Sequence, residues 1–195
     1  MKSIRVAVSM LLVALTAACA GVEVGAPPAE ISRARFASDE PPYVAVVSMV
    51  HRDQQRAAHT ALFINASQRV IYDPAGTFRH EAMPERGDIH YGATDRMIDY
   101  YERYHARFSH YVHVQTIPVS AATAEAVLRR AQAQGPSPKL FCTVDTIAVL
   151  NDVPQIPRFY SSFFPEALRQ QVAQVSGVQD RYRYEEDRGK TVPVN

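Results

Sequence analysis

Three runs of strand chemistry follow one another with no helical pattern between them, and this constrains the fold more than any other feature of the chain. "YVAVVSMV" (43–50) is a β-branched run suited to a buried strand. "HTALFI" (59–64) and "RVIYD" (69–73) follow, separated by the turn-prone "NASQ". Together they read as an antiparallel meander. "DPAG" (73–76) then closes the second hairpin arm with Pro and Gly, residues that stop strands.

Helix signals come later and in a block of their own. After a short strand candidate, "DIHYG" (88–92), Thr94 is placed to cap "DRMIDYYERYHARF", whose Met97, Tyr101, Tyr104 and Phe108 form one apolar stripe. "HYVHVQTIPVS" returns to strand chemistry, with Pro118 marking its end. Ser120 caps "AATAEAVLRRAQAQ", which stops at Gly135-Pro136. "LFCTVDTIAVLN" carries Val144, Ile147 and Leu150 on one helix face, and "PEALRQQVAQVSG" opens with Pro165 and closes at Gly177. The tail from Val178 is highly charged, and its Tyr182 and Tyr184 allow a short edge strand. Strands and helices in separate groups predict an α+β fold, an antiparallel sheet packed against a cysteine-bearing helix. A doubly wound parallel sheet would alternate the two.

The start, "MKSIRVAVSMLLVALTAACAG", has a basic region (Lys2, Arg5), an apolar core from Val6 to Leu15 and small residues before Cys19. This is the layout of a secretory signal, and its core is shorter than the roughly 20 apolar residues a membrane span needs. "LTAAC" resembles the lipobox of bacterial lipoproteins, with Thr16 in place of the usual Leu. The resemblance implies cleavage after residue 18, lipid (palmitate among it) on Cys19 and, from Ala20, an outer-membrane position facing the periplasm. Residues 19–42, with four prolines and no apolar periodicity, read as a flexible tether. Residues 43–195 read as one domain with a C-terminal helix and charged tail. Loss of Lys2 and Arg5 leaves 19 basic against 20 acidic residues, so the net charge moves from +1 to −1. Neither a nucleic-acid footprint nor a polybasic membrane patch is present, and the lipid is the expected membrane contact.

Lipid on Cys19 leaves Cys142 as the sole thiol of the chain. An unpaired cysteine in an oxidising compartment is a candidate reactive group, or else a small buried hydrophobe. A helix beginning at or just before Cys142 would set the sulfur against free backbone N–H groups and the positive end of the dipole, which favour thiolate. The partner base must be a histidine on a rigid element, oriented by a third group. Of seven histidines, His59 has the best setting, because it opens an apolar strand and alternates with Ala61 and Phe63. Asp73 ends the next strand. A three-residue turn centred on Ala66 would set His59 opposite Asp73. A two-residue turn would set it opposite Pro74 and send Asp73 to the other face.

The order of these parts, a strand histidine in "HTALFI", a polar residue after "VIY", and a lone cysteine at a helix start in "FCTVDTIAVL", resembles the circularly permuted papain-like superfamily. That group includes lecithin:retinol acyltransferase-like enzymes and permuted relatives of NlpC-type cell-wall peptidases. The resemblance spans residues 43–151, and the stretches "HTALFIN", "DPAG" and "FC" in this order are similar to those of proteobacterial lipoproteins. It implies Cys142 as nucleophile, His59 as general base and Asp73 as orienting group. The implied substrate is a peptidoglycan peptide or a lipid acyl group, with no cofactor or metal. The chain departs from the acyltransferases at Phe141, where they carry Asn, and at Asp73, where they carry a second His. A non-catalytic binding scaffold of the same shape is the competing expectation.

The remaining features read as structural. His110 and His113 fall on opposite faces of a strand, which does not make a metal pair. His105, near a helix end, reads as a surface residue favoured by the dipole. Phe159, Tyr160, Phe163 and Phe164 are denser than a core edge needs. No phosphate-binding loop, dinucleotide fingerprint or zinc spacing occurs.

Overall fold

The computed structural model describes residues 25–186. The expected signal (1–18), the lipidation residue Cys19 and the last nine residues lie outside them. Among the described residues the fold is α+β: one antiparallel sheet of seven strands in the order β4-β5-β3-β2-β1-β6-β7, with five helices. The strands are β1 (Tyr43–His51), β2 (Arg56–Asn65), β3 (Arg69–Tyr72), β4 (Glu85–Arg86), β5 (Ile89–Tyr91), β6 (His110–Pro118) and β7 (Gln179–Arg183). The helices are α1 (Pro28–Ala34), α2 (Asp95–His105), α3 (Ala121–Gln134), α4 (Cys142–Leu150) and α5 (Pro165–Val172).

The unbroken apolar run of β1 is explained by helices on both sides of the sheet. Alternate side chains of a strand point to opposite faces. Val44, Val46, Leu62, Ile64, Val70 and Tyr72 face one core with α3, α4 and α5. Ala45, Val47, Ala61, Phe63 and Ile71 face the other, with Met97 and Tyr101 of α2. A strand covered on both faces reads as a near-continuous apolar run.

Caps fall where the sequence places them. Thr94 accepts from the Met97 N–H at the start of α2, and Ser120 accepts from Thr123 at the start of α3. Gly135 takes φ 73° after α3, a left-handed conformation that favours glycine. Helix α5 is shorter than its pattern: it ends at Val172, and the chain turns through Val175 before Gly177. β7 pairs with β6 at the sheet edge, from Val112↔Arg183 to Thr116↔Gln179.

The expected domain organisation is corrected at one place within the described residues. From Gly25 onward, the segment read as a flexible tether is docked. α1 packs Ile31 and Ala34 on the core, and Gly25 bridges Arg86. Asn65 Nδ2 donates to the carbonyls of Glu40 and Pro41. The buried Arg69 donates to Glu40 at 2.8 Å, to Ser38, to the Ala93 carbonyl and to Asp95. Composition reads as loop because the segment has few apolar residues. What holds it is a set of polar side chains from β2 and β3.

Candidate functional site

β2 and β3 bring His59 and Asp73 together. Their register runs from Asn65↔Arg69 to Leu62↔Tyr72, a three-residue turn centred on Ser67. This is one residue later than the Ala66-centred turn, so extending the ladder would set Asp73 beside Ala61 and His59 beside Ala75. The offset is two positions along the partner strand, which preserves the face. His59 and Asp73 therefore meet diagonally, with His59 Nε2 2.6 Å from Asp73 Oδ1.

The third residue arrives round an open edge. β3 stops opposite Leu62, so the first half of β2 has no β3 neighbour. The start of α4, whose later residues pack on the far face of the sheet, comes up against that edge. Helix α4 begins at Cys142, with Phe141 as its N-cap residue. The Cys142 sulfur lies close enough to the His59 ring and to the Thr60 backbone N–H for both to lower its pKa. With Nε2 committed to Asp73, Nδ1 is the ring nitrogen left for the sulfur. Thr143 Oγ1 lies 3.8 Å from the sulfur, within reach of a weak S···O contact.

Electrostatics follow from this arrangement. Burial disfavours charge on His59, but the Asp73 carboxylate and the Cys142 sulfur outweigh it and push the imidazole pKa up to about 10. Asp73 is 2% exposed. Burial would raise its carboxyl pKa, yet the His59 charge and hydrogen bond hold it well below the usual carboxylate range. Burial likewise raises the Cys142 thiol, and the His59 hydrogen bond and charge, with Thr143 and the Thr60 N–H, bring it below the ordinary value. The three groups form a cysteine–histidine–aspartate row in which each neighbour favours the charged form of the next.

Around Asp73 lies a shell that sequence reasoning missed. His105 was expected at the surface. Instead its Nδ1 bonds the Tyr101 carbonyl at 2.9 Å, its ring stacks 6.4 Å from that of His59, and burial pushes its pKa down to about 4. Burial overrides the helix dipole that would favour its charge. The Phe78 ring sits 4.9 Å from Tyr101, 5.1 Å from Tyr104 and 5.1 Å from His90. Burial and the Asp73 charge keep the Tyr101 phenol protonated, although neither its hydroxyl nor Asp73 Oδ2 completes a hydrogen bond. Gly76 closes the far side. A Cβ there would lie 2.1 Å from Asp73 Oδ2 and 2.2 Å from its Cγ. "DPAG" carried that signal, since a glycine three residues after a buried acid marks a close approach.

His59, His105 and His110, with Tyr104 and Arg107, help to line a cleft of about 330 Å³. Phe141, exposed, meets Phe163 edge-on at 5.3 Å on the other side of Cys142. No group of three or more metal-ligating side chains occurs among the described residues. Comparisons with protein-family models, curated proteins and solved structures return no match.

Proposed function

We propose that this chain is a lipid-anchored cell-envelope thiol hydrolase or acyltransferase of the circularly permuted papain-like kind, acting on an amide or ester. The observation that carries the reading is the 2.6 Å bond from His59 Nε2 to Asp73, with the Cys142 sulfur close enough to the same ring for the two groups to shift each other's pKa. A nucleophile, a base and an orienting acid in that order are the recurring requirement of covalent acyl transfer.

The Cys142 thiolate attacks the carbonyl carbon, and the developing oxyanion is held by free backbone N–H groups at the start of α4. Collapse breaks the bond to the leaving group, which takes its proton from the His59 imidazolium, and a thioester remains on Cys142. Water, or an acceptor hydroxyl or amine, then attacks the thioester while His59 takes up its proton. Asp73 stabilises the imidazolium throughout and fixes the ring. Lipid on Cys19 holds the protein at the outer membrane facing the periplasm. Peptidoglycan peptides and lipid acyl groups are in reach there.

An activated acetyl ester followed by intact-mass and peptide mass spectrometry tests the reading. Acetylation on Cys142 is expected in the wild type, is lost in Cys142→Ala and is slowed in His59→Ala. Wild-type labelling no faster than that of the urea-unfolded chain contradicts it. A second reading, a binding scaffold with an inert thiol, is favoured by one observation: Cys142 is 7% exposed and does not line the cleft beside His59. On that reading the thiol reacts only after unfolding.

A further inference from the structure

The cleft beside His59 holds a cation with nothing to bind. Arg107 lines it, half-buried, just past the end of α2. Its guanidinium lies 5.4 Å from the centre of the Tyr104 ring, which fixes the plane of the group without neutralising it. Arg107 Nη1 is enclosed by protein and has no hydrogen-bond partner, and Arg107 forms no ion pair among the described residues. Arg69, Arg169, Arg181 and Arg183, by contrast, each reach a carboxylate. Arg107 therefore offers the cleft a guanidinium with no carboxylate partner among the described residues, which suits an anionic group that arrives with a ligand.

The walls specify the charge of that ligand. No Asp or Glu lines the cleft. Its other titratable walls are His59, His105, His110 and Tyr104. Burial lowers the pKa of both His105 and His110, the latter aided by neighbouring His51, so these two rings add little positive charge. His59 is the imidazolium already engaged by Asp73. Arg107 is the open cation, and a guanidinium matches a carboxylate as a planar fork.

We propose that Arg107 is a substrate-binding residue of this cleft, and that the substrate carries a carboxylate close to the bond under attack. This rests on the reading of Cys142 and His59 as the reacting pair. A carboxylate-bearing acyl donor would be held with its charge on Arg107 and its carbonyl toward the sulfur beside His59. A neutral acyl chain would leave the guanidinium unpaired and bind less well.

Two alkylating agents of the same size separate the charge effect from thiol activation. In each, the Cys142 thiolate displaces iodide; iodoacetate brings a carboxylate and iodoacetamide a neutral amide. Peptide mass spectrometry of the full-length chain follows modification of Cys142. In Arg107→Gln the rate with iodoacetate is expected to fall about tenfold relative to that with iodoacetamide, the scale of one charge-assisted contact. Arg107→Lys should recover part of the preference, and an unchanged iodoacetamide rate shows the site intact. An equal iodoacetate-to-iodoacetamide ratio in wild type and Arg107→Gln overturns the proposal. A second measurement does not depend on the thiol. N-acetylglycine should shift the NMR signals of His105 and His110 in the wild type, N-acetylglycinamide should not, and Arg107→Gln should abolish the difference. If Cys142 resists both reagents but N-acetylglycine still binds through Arg107, the thiol chemistry fails while the carboxylate site stands. If N-acetylglycine fails to bind while Cys142 reacts, the site falls and the chemistry stands.

Discussion

Asp73→Asn isolates the role of charge in the row, because the amide keeps the volume of the side chain and removes its charge. In the wild type, Oδ1 accepts from His59 Nε2 at 2.6 Å inside the protein, and the carboxylate is almost fully buried. A hydrogen bond to a charged group contributes about 1.5–3 kcal/mol. That energy favours the imidazolium, and the equilibrium between thiol plus imidazole and thiolate plus imidazolium shifts with it. At 1.36 kcal/mol per decade, the thiolate population falls roughly ten- to a hundredfold when the charge is removed. The assay is the rate of Cys142 alkylation by iodoacetamide near pH 6, in a Cys19→Ser background with Cys142 as the only thiol. Circular dichroism at the same temperature confirms that the variant is folded. Equal rates in wild type and Asp73→Asn would refute the reasoning, since they would mean that the acid does not act on the sulfur through His59.

Three further outcomes follow from the same geometry. Gly76→Ala should drive the Asp73 carboxylate off its position, because the new Cβ would sit 2.1 Å from Oδ2. Breaking a buried pair costs about 3–5 kcal/mol, so Tm should fall by roughly ten degrees and thiol activation should be lost with it. The contribution of the pair to stability should also depend on pH at both ends. Asp73, whose pKa is lowered on folding, contributes fully above its unfolded value near 4 and loses this as pH falls through the folded value. His59, whose pKa is raised, contributes fully below its unfolded value near 6.5 and loses this as pH rises through about 10. The stability gap between wild type and Asp73→Asn, from urea unfolding, should be widest between those limits; a gap that keeps widening up to pH 10 would contradict the assignment. Arg69→Met should release the segment from 25 to 42 and cost about 2–4 kcal/mol, because the Ala93 carbonyl and two carboxylates lose their shared donor. Limited proteolysis reads this as new cleavage before Tyr43, and an unchanged digestion pattern would count against it.

The meander and its faces were legible because period-two alternation and β-branched runs are local properties. So were the caps at Thr94 and Ser120 and the start of α4 at Cys142. The register was not legible: a three-residue turn centred on Ala66 and a two-residue turn that sends Asp73 to the other face were both open. The observed turn, centred on Ser67, keeps Asp73 and His59 on the same side. The burial of His105 was not legible, because it depends on Phe78 and Asp73 arriving from a loop and a strand distant in sequence. Nor was the docking of the segment before β1, whose Ser38, Glu40 and Pro41 are held by Arg69 and Asn65.

The account rests on the contact between the Cys142 sulfur and the His59 ring. A pH titration of the thiolate's ultraviolet absorbance in the Cys19→Ser chain tests it most directly. The account predicts a Cys142 pKa below the ordinary value of about 8.5, returning to that value or above it in His59→Ala as burial acts unopposed. A wild-type thiol that titrates at or above the ordinary value, unchanged by His59→Ala, would contradict it.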